Sequence, residues 1–328
     1  MTVPEVQDLI KKSFVKEAFR PAGDVRRIFH KATGNWESDR KQVTEVDRDR
    51  FAEEKVEGQA SAQRGITRGY SKVIIRKTIS VTRLVSGEAY RALTAHMLAG
   101  YATATGADVV DKIELDMRNF IGIVGTSYTD NGGFTIDTTT GDAQDFWDTG
   151  HTLRNSSTTY SNILSGAPSF SETAMESAEE FFVYNVLDNN GQRITMKPNT
   201  IITSESPTVK NRVARLLQST SPEAIEGTAN SNAGVKNTYK NKFRHLVVEF
   251  DVTSSNVSDT ALRYYWILAA LGGAPERSLQ AYYVSWLSPQ VAPAEINQDK
   301  WTLSYTGRAC YGIGAVSGKG ALLVRATS

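Results

Sequence analysis

The order of patterns along this chain predicts an α+β fold with large surfaces left over for neighbouring molecules. Helical and strand patterns follow one another without the regular strand–helix–strand alternation of a parallel sheet. An extended arm, Tyr70–Val85, runs directly into one uninterrupted helical pattern from Ser86 to about Ile121. At about 3.3 Å per residue the arm would reach roughly 50 Å, well past the usual strand of about 5–6 residues. The helix is of similar length at about 1.5 Å per residue. An arm and a rod in succession need more cover than the rest of one chain supplies, which points to an assembly subunit rather than a solitary enzyme.

Each piece has its own warrant. Residues 4–19 place Val6, Leu9, Ile10, Phe14 and Ala18 on one helical face, and Pro21 ends the run; such a helix is expected to dock on a larger body. Residues 30–57 are polar, with Trp36 isolated among them, and are expected to rise as an extended arm to a small-residue tip, Gly58–Gly69. In the returning strand, Val73, Ile75, Ile79, Val81 and Val85 are expected on one side. Lys72, Arg76, Thr78, Ser80 and Thr82 are expected on the other. Ser86 is a good N-cap for the long helix, and Glu88 suits the positive end of its dipole. Tyr90, Leu93, Met97, Tyr101 and Ala104 are expected to form its apolar stripe, continued by Val109, Ile113, Met117 and Phe120. Gly100 and Gly106 cost about 1 kcal/mol each against Ala and permit a bend.

From Gly122 to Ala167 the small and polar composition predicts short strands and loops. Ser171 caps a helix running to about Asn185, with Met175, Ala178, Phe182 and Val186 inward. Asn189–Gly191 is a turn, Thr200–Thr203 a short buried strand, and Pro207–Gln218 a helix with Pro in its first turn. A polar loop over 219–242 precedes strands at 244–252, 261–271 and 279–287. Alternation resumes through Trp301, Leu303, Tyr305 and Gly307, and Gly312, Gly314, Gly318 and Gly320 are expected to make tight turns.

Composition narrows the function classes. The chain has 328 residues, 37 Lys plus Arg against 36 Asp plus Glu, so no global basic field would hold nucleic acid by charge alone. The single cysteine, Cys310, excludes an internal disulfide and a Cys-based zinc site. His30, His96, His151 and His245 are dispersed without metal-ligand spacing, and no cofactor or metal is expected. No apolar run approaches the ~18 residues of a membrane span, and the first residues lack the pattern of a signal peptide, so no membrane partner is expected. Asp148-Thr-Gly150 is the tripeptide of an aspartic-protease half-site; an ordinary turn is the favoured reading, and His151 stands where that family needs a small residue. Gly312–Gly318 lacks the following helix that a dinucleotide loop requires. The four glutamates between Glu172 and Glu180 suit a solvated helix face.

One charge feature is local. Residues 58–87 hold Arg64, Arg68, Lys72, Arg76, Lys77 and Arg83 and no acidic residue. Two readings stand side by side, and a third, nucleic-acid contact, ranks below them for want of interleaved aromatics beyond Tyr70. One is a strand edge guarded against aggregation; the other is a basic ribbon lying over an acidic surface of a neighbouring subunit. The second makes these six residues the candidate intersubunit contact.

In order and spacing, the pieces resemble the major capsid protein of tailed bacteriophages, the Hong Kong 97-type fold, and most of all the Mu-like major head subunits. The resemblance rests on the arm and rod, on Trp147-Asp-Thr-Gly-His-Thr-Leu and Ser171-Glu-Thr-Ala-Met, on Lys197-Pro-Asn-Thr-Ile-Ile-Thr with the following helix, and on Thr302-Leu-Ser-Tyr-Thr-Gly-Arg-Ala-Cys-Tyr-Gly. It implies an N-terminal arm (1–50), an extension loop (51–85), a peripheral domain with the spine helix (86–195), an axial domain (196–293) and a return strand to the peripheral domain (294–328). It further implies hexamers and pentamers closing an icosahedral shell around weakly held double-stranded DNA. The implied partners are a separate scaffolding protein, a portal, and a maturation protease or decoration protein. The implied location is the virion, with the host cytoplasm before assembly. Two alternatives stand beside this: an encapsulin-type nanocompartment shell, and an aspartic-type hydrolase using Asp148.

Overall fold

The computed structural model describes residues 3–18, 24–45, 69–86, 88, 95–122, 125–130, 132–164, 166, 169–219, 237–250, 259–260, 262–273, 277–292, 295–297 and 302–326. The first elements are α1 (Val3–Ala18), β1 (His30–Thr33) and β2 (Arg40–Thr44). The arm is two strands, β3 (Ser71–Ile75) and β4 (Lys77–Ser86), and the long helix α2 is Ala95–Gly122. Small hairpins follow, β5 (Ser127–Thr129) with β6 (Thr135–Asp137) and β7 (His151–Leu153) with β8 (Ser156–Tyr160), then β9 (Ile163–Leu164). Next come α3 (Glu172–Tyr184), β10 (Thr200–Thr203), α4 (Pro207–Gln218), β11 (Arg244–Val247) and β12 (Trp266–Ala269). The last strands are β13 (Gln280–Val291), β14 (Glu295–Asn297), β15 (Thr302–Ser317) and β16 (Ala321–Val324).

Strand β15 is the axis of the first sheet. Strand β13 pairs antiparallel along one side of it, with β1 parallel beyond, and β14 adds a short pairing. Strand β4 takes the other side in unbroken register, from Lys77 opposite Tyr311 to Ser86 opposite Thr302. One edge of each arm strand is thus paired within its own chain, β4 on β15 and β3 on β2, which corrects the expectation that this strand lacks intramolecular cover. The long helix lies across this sheet. Its Val109, Val110, Ile113, Met117, Phe120 and Ile121 are buried with Ala309, Tyr311, Ile313 and Ala315, as the helical period predicts. Nearer its start the phase differs. Leu98 and Ala102 are the buried pair, packed with Ile10, Val85, Leu303 and Tyr305. Met97 and Tyr101 each stand 47% exposed. The expected stripe therefore faces outward there, because α1 docks against the adjacent face; Tyr90 and Leu93 lie outside the described residues.

The second sheet has the order β11-β10-β12-β16-β9. Strands β10, β12 and β16 are buried at every position, as expected for a sheet covered on both faces. Ile202, Ile267, Ala321 and Leu323 join the core of α2. Ile201, Trp266, Leu268, Leu322 and Val324 face α3 and α4. Both helices begin as the sequence predicts: Ser171 Oγ accepts from the Ala174 N–H at 3.2 Å, and Pro207 opens α4. The sheets cut across the expected domain bounds. Strand β13, expected with 196–293, pairs in the first sheet, and β16, expected with the return strand, closes the second.

Gly312 and Gly314 were expected in turns but lie inside β15. A Cβ at Gly312 would stand 2.6 Å from the Ile75 carbonyl oxygen and 2.7 Å from Ile74 Cγ2; at Gly314 it would stand 2.9 Å from Ile74 Cγ1. Their missing side chains form the seat on which β3 lies.

Candidate functional site

Strand β3 pairs with β2 and lies across β15 with Lys72 and Ile74 inward, Val73 and Ile75 outward. This inverts the expected alternation. Ile74 fills the seat over the two glycines and packs with Val284, Trp286 and Cys310. The Lys72 ammonium reaches Asp137 Oδ2 at 2.5 Å and Thr139 Oγ1 at 2.6 Å. At Arg76 the strand breaks, and the Arg76 N–H donates to the Asp39 carbonyl at 2.7 Å. From Lys77 onward the phase is reversed, so that Ile79, Val81 and Val85 point inward as predicted. A single residue outside the ladder is enough, since a shift of one exchanges the faces of a strand.

Lys77 is 5% exposed at its side chain and enters a buried ionic cluster. Its ammonium bonds Asp116 Oδ2 at 2.6 Å and makes a short bond to Asp130 Oδ2. Lys112, one turn before Asp116 on α2, reaches Asp116 at 2.8 Å and Asp130 at 3.1 Å. The Tyr311 hydroxyl donates to Asp116 Oδ2, and the Tyr128 hydroxyl donates to the Asp116 carbonyl at 3.0 Å. Two lysines and two aspartates balance, and the remaining carboxylate lone pairs are filled: Asp130 Oδ1 accepts from the Gly132 and Phe134 N–H groups at 3.0 and 2.9 Å. Such completeness is what permits buried charge. Burial pushes the Asp130 carboxyl up, but the bonds from Lys77, Phe134 and Lys112 outweigh it and hold the group well below the usual range. Burial and the Asp116 charge push both tyrosine hydroxyls up, keeping them protonated donors. The cluster fastens β4 to α2 and to the β5–β6 turn.

A second anchor closes the root of the arm. The Glu45 N–H donates to the Tyr70 carbonyl at 2.7 Å, and the Tyr70 N–H to Glu45 Oε2 at 3.3 Å. The Glu45 carboxylate is buried, 2.7 Å from the Lys319 ammonium and 2.9 Å from Asn189 Nδ2. Arg154 donates to the Gly69 carbonyl. Residues 46–68, which take in all of the expected tip Gly58–Gly69 except Gly69, lie outside the described residues.

The six basic candidates thus meet different fates. Arg64 and Arg68 lie outside the described residues. Lys72 and Lys77 are buried and ion-paired within the chain, so they present no ribbon of charge to the surface; their partners, Asp116, Asp130 and Asp137, lie far along the sequence. Arg83 is half-exposed and 2.5 Å from Asp108. Arg76 places its guanidinium 5.3 Å from the Trp36 ring centre. Beside its polar positions this surface presents apolar side chains: Val73 is 46% exposed, Ile75 54% and Trp36 58%. Asp148 closes its own turn, accepting from the Gly150 N–H at 2.6 Å. His151, fully buried, stacks on Tyr160 and lies 3.1 Å from Asp142. Glu45 and Lys319 carried no sequence signal. Asp116 did, as a carboxylate one turn from the apolar positions Ile113 and Phe120 of a buried helix.

No family model matches the chain, and no curated protein matches it. Solved structures do. The capsid structure of the cyanophage P-SCSP1u superposes with a TM-score of 0.52 at 10% identity, over 94% of this chain and 90% of that one. The asymmetric unit of the bacteriophage PhiM1 mature capsid gives 0.52 at 11% identity, over 94% of this chain and 89% of that one. At this identity the likeness is one of fold: the chain has the Hong Kong 97-type capsid fold, in mixed helix and strand, along nearly its whole length.

Proposed function

We propose that this chain is a structural shell subunit, the major head protein of a tailed bacteriophage. One observation carries the reading beyond the fold: β3 is held on its inner side by Lys72, bound to Asp137 and Thr139, and by Ile74 in its seat, and turns Val73, Ile75 and the nearby Trp36 outward. A firmly placed apolar face is the anatomy of an interface core. The finer reading follows the resemblance. Copies close as hexamers and pentamers into an icosahedral shell, in a Mu-like head, with Arg76, Arg83, Arg64 and Arg68 at the polar rim between subunits. Double-stranded DNA inside is held weakly, since the net charge is +1. A scaffolding protein and portal act in assembly, in the host cytoplasm before the virion forms, and a protease or decoration protein completes it.

The test is electron microscopy and sedimentation of the purified protein with and without its scaffolding partner. Rings, tubes or shells are expected. A compact monomer across wide ranges of concentration and salt, with the partner present, overturns the reading. Nucleic acid inside the particles supports a virion head; a protein cargo instead assigns a nanocompartment shell. No catalytic role is proposed for Asp148, whose carboxylate is engaged in its own turn, and Asp148→Ala is expected to assemble as the parent does. Loss of a measurable peptidase activity in that variant, with assembly unchanged, would reverse this.

A further inference from the structure

We propose that α3 and α4 are the two halves of one interface between copies of this chain, the acidic outer face of α3 in one copy seated on the basic outer face of α4 in the next. The proposal rests on the shell reading and names the pairing by which copies join. Helix α3 carries Glu172, Glu176, Glu179 and Glu180 and no Lys or Arg; α4 carries Lys210, Arg212 and Arg215 and no acidic residue. Both helices cover the same face of the second sheet. Their inner sides are filled by Met175, Ala178, Phe182, Val209, Val213 and Leu216, so the charges point out. Glu179 is paired with Lys242, and Lys210 with Glu205. Glu176, Glu180, Arg212 and Arg215 are exposed and have no ion pair among the described residues.

The outer row of α3 has the make-up of a contact surface rather than of a solvated face. Glu176 and Glu180 continue into Tyr184, 59% exposed, with Val183 beside it at 50%. Tyr184 is held in place by Arg193, whose guanidinium lies 5.0 Å from the ring centre and donates to the Val183 carbonyl at 2.5 Å. A fixed exposed aromatic at the end of a charged row is the kind of anchor that interfaces use. The spacings match, since residues three or four apart on a helix lie about 5–6 Å from each other. Two arginine forks on α4 can each grip a carboxylate on α3 with paired bonds. A second copy fits better than nucleic acid, which the α3 face would repel. Every copy carries both faces, so each copy has a basic face to receive one neighbour's α3 and an acidic face to offer to another.

The experiment compares the wild type with Glu176→Lys/Glu180→Lys and with Arg212→Glu/Arg215→Glu. Assembled fraction is read by sedimentation velocity and electron microscopy, and melting of the unassembled subunit serves as the control for folding. Each double reversal is expected to raise the concentration needed for assembly by about tenfold or more while melting stays near the parent's. Mixing the two variants in equal amounts, or combining all four changes in one chain, is expected to restore assembly. The milder Glu176→Gln/Glu180→Gln should shift assembly in the same direction and covers the case where a reversal disturbs folding. Normal assembly by either reversal, or failure of both restorations, overturns the pairing alone. A wild type that never assembles overturns the shell reading and the pairing with it. Assembly indifferent to the reversals, with polylysine retained by the wild type and lost in Glu176→Lys/Glu180→Lys, assigns the face to a basic partner and also overturns it.

Discussion

Arg76 and Lys77 are adjacent in the chain and do opposite work. Arg76 lies against Trp36 at the surface, where a charge reversal removes a cation–π contact and an exposed hydrogen bond to the Trp36 carbonyl; Arg76→Glu should shift subunit stability by about 1 kcal/mol or less. Lys77→Met keeps most of the side chain but leaves Asp116 and Asp130 to share Lys112. Removing one partner of a buried pair typically costs about 3–5 kcal/mol, so thermal or urea melting should separate the two variants clearly. Equal and small effects would mean that water reaches the cluster. The same cluster predicts an acid limb. The Asp130 carboxyl titrates lower in the folded state than its unfolded value of about 3.9. Its contribution is therefore complete above that value and is lost as pH falls toward the folded one. Asp137 and Asp142 are also held low, burial being outweighed by Lys72 with Thr139 and by His151 with Thr140. Unfolding midpoints measured below about pH 4 should fall steeply in the parent, and less steeply in Asp130→Asn, which starts from lower stability.

At the scale of elements, the unit that needs explaining is β3, whose faces are set from below. The seat made by Gly312 and Gly314 admits Ile74 and the Ile75 carbonyl. A methyl group at Gly312 has backbone in its way, and backbone yields less easily than a side-chain end. Gly312→Ala should destabilise by about 1–3 kcal/mol and should open residues 69–76 to protease before the rest of the chain; uniform protection would show that the strand is held elsewhere. This is also where the sequence was least legible. Helices α3 and α4, and the buried stripe Val109–Phe120, follow from spacing and capping within a dozen residues, and they stand where the sequence puts them. The phase of β3 depends on Asp137 and on two glycines more than two hundred residues away, and a period of two cannot say which of its faces will meet them. Met97 and Tyr101 show the same limit: the stripe is real, but which stripe is inward depends on where α1 docks.

For the whole molecule, cover is unevenly shared. The chain's own sheets pair one edge of each arm strand, while apolar side chains on β3 and near the start of α2 stay exposed. Deleting residues 58–68 should leave the subunit's melting nearly unchanged, because the segment is polar and poor in large apolar residues. If the shell reading holds, the same deletion should abolish closed particles, counted by electron microscopy. Normal particle yield would remove this segment from the assembly, and loss of folding would place it in the core. The fold was legible because the order of elements carries it where identity is low: the chain superposes along 94% of its length on solved capsid structures at 10–11% identity.

The closure of Glu45 on Tyr70 has a mechanical consequence. Glu45 and Tyr70, at the described ends of β2 and β3, meet at one mooring, so a load that reaches both is shared instead of peeling β2 and β3 off one at a time. From the mooring, force passes through the Glu45 carboxylate to Lys319, which sits in the turn between β15 and β16. That turn is where the first sheet hands over to the second. A tug on the arm is thus delivered to the joint between the two sheets, so strain imposed by a neighbour would be felt as a torque between them rather than as unravelling of an edge.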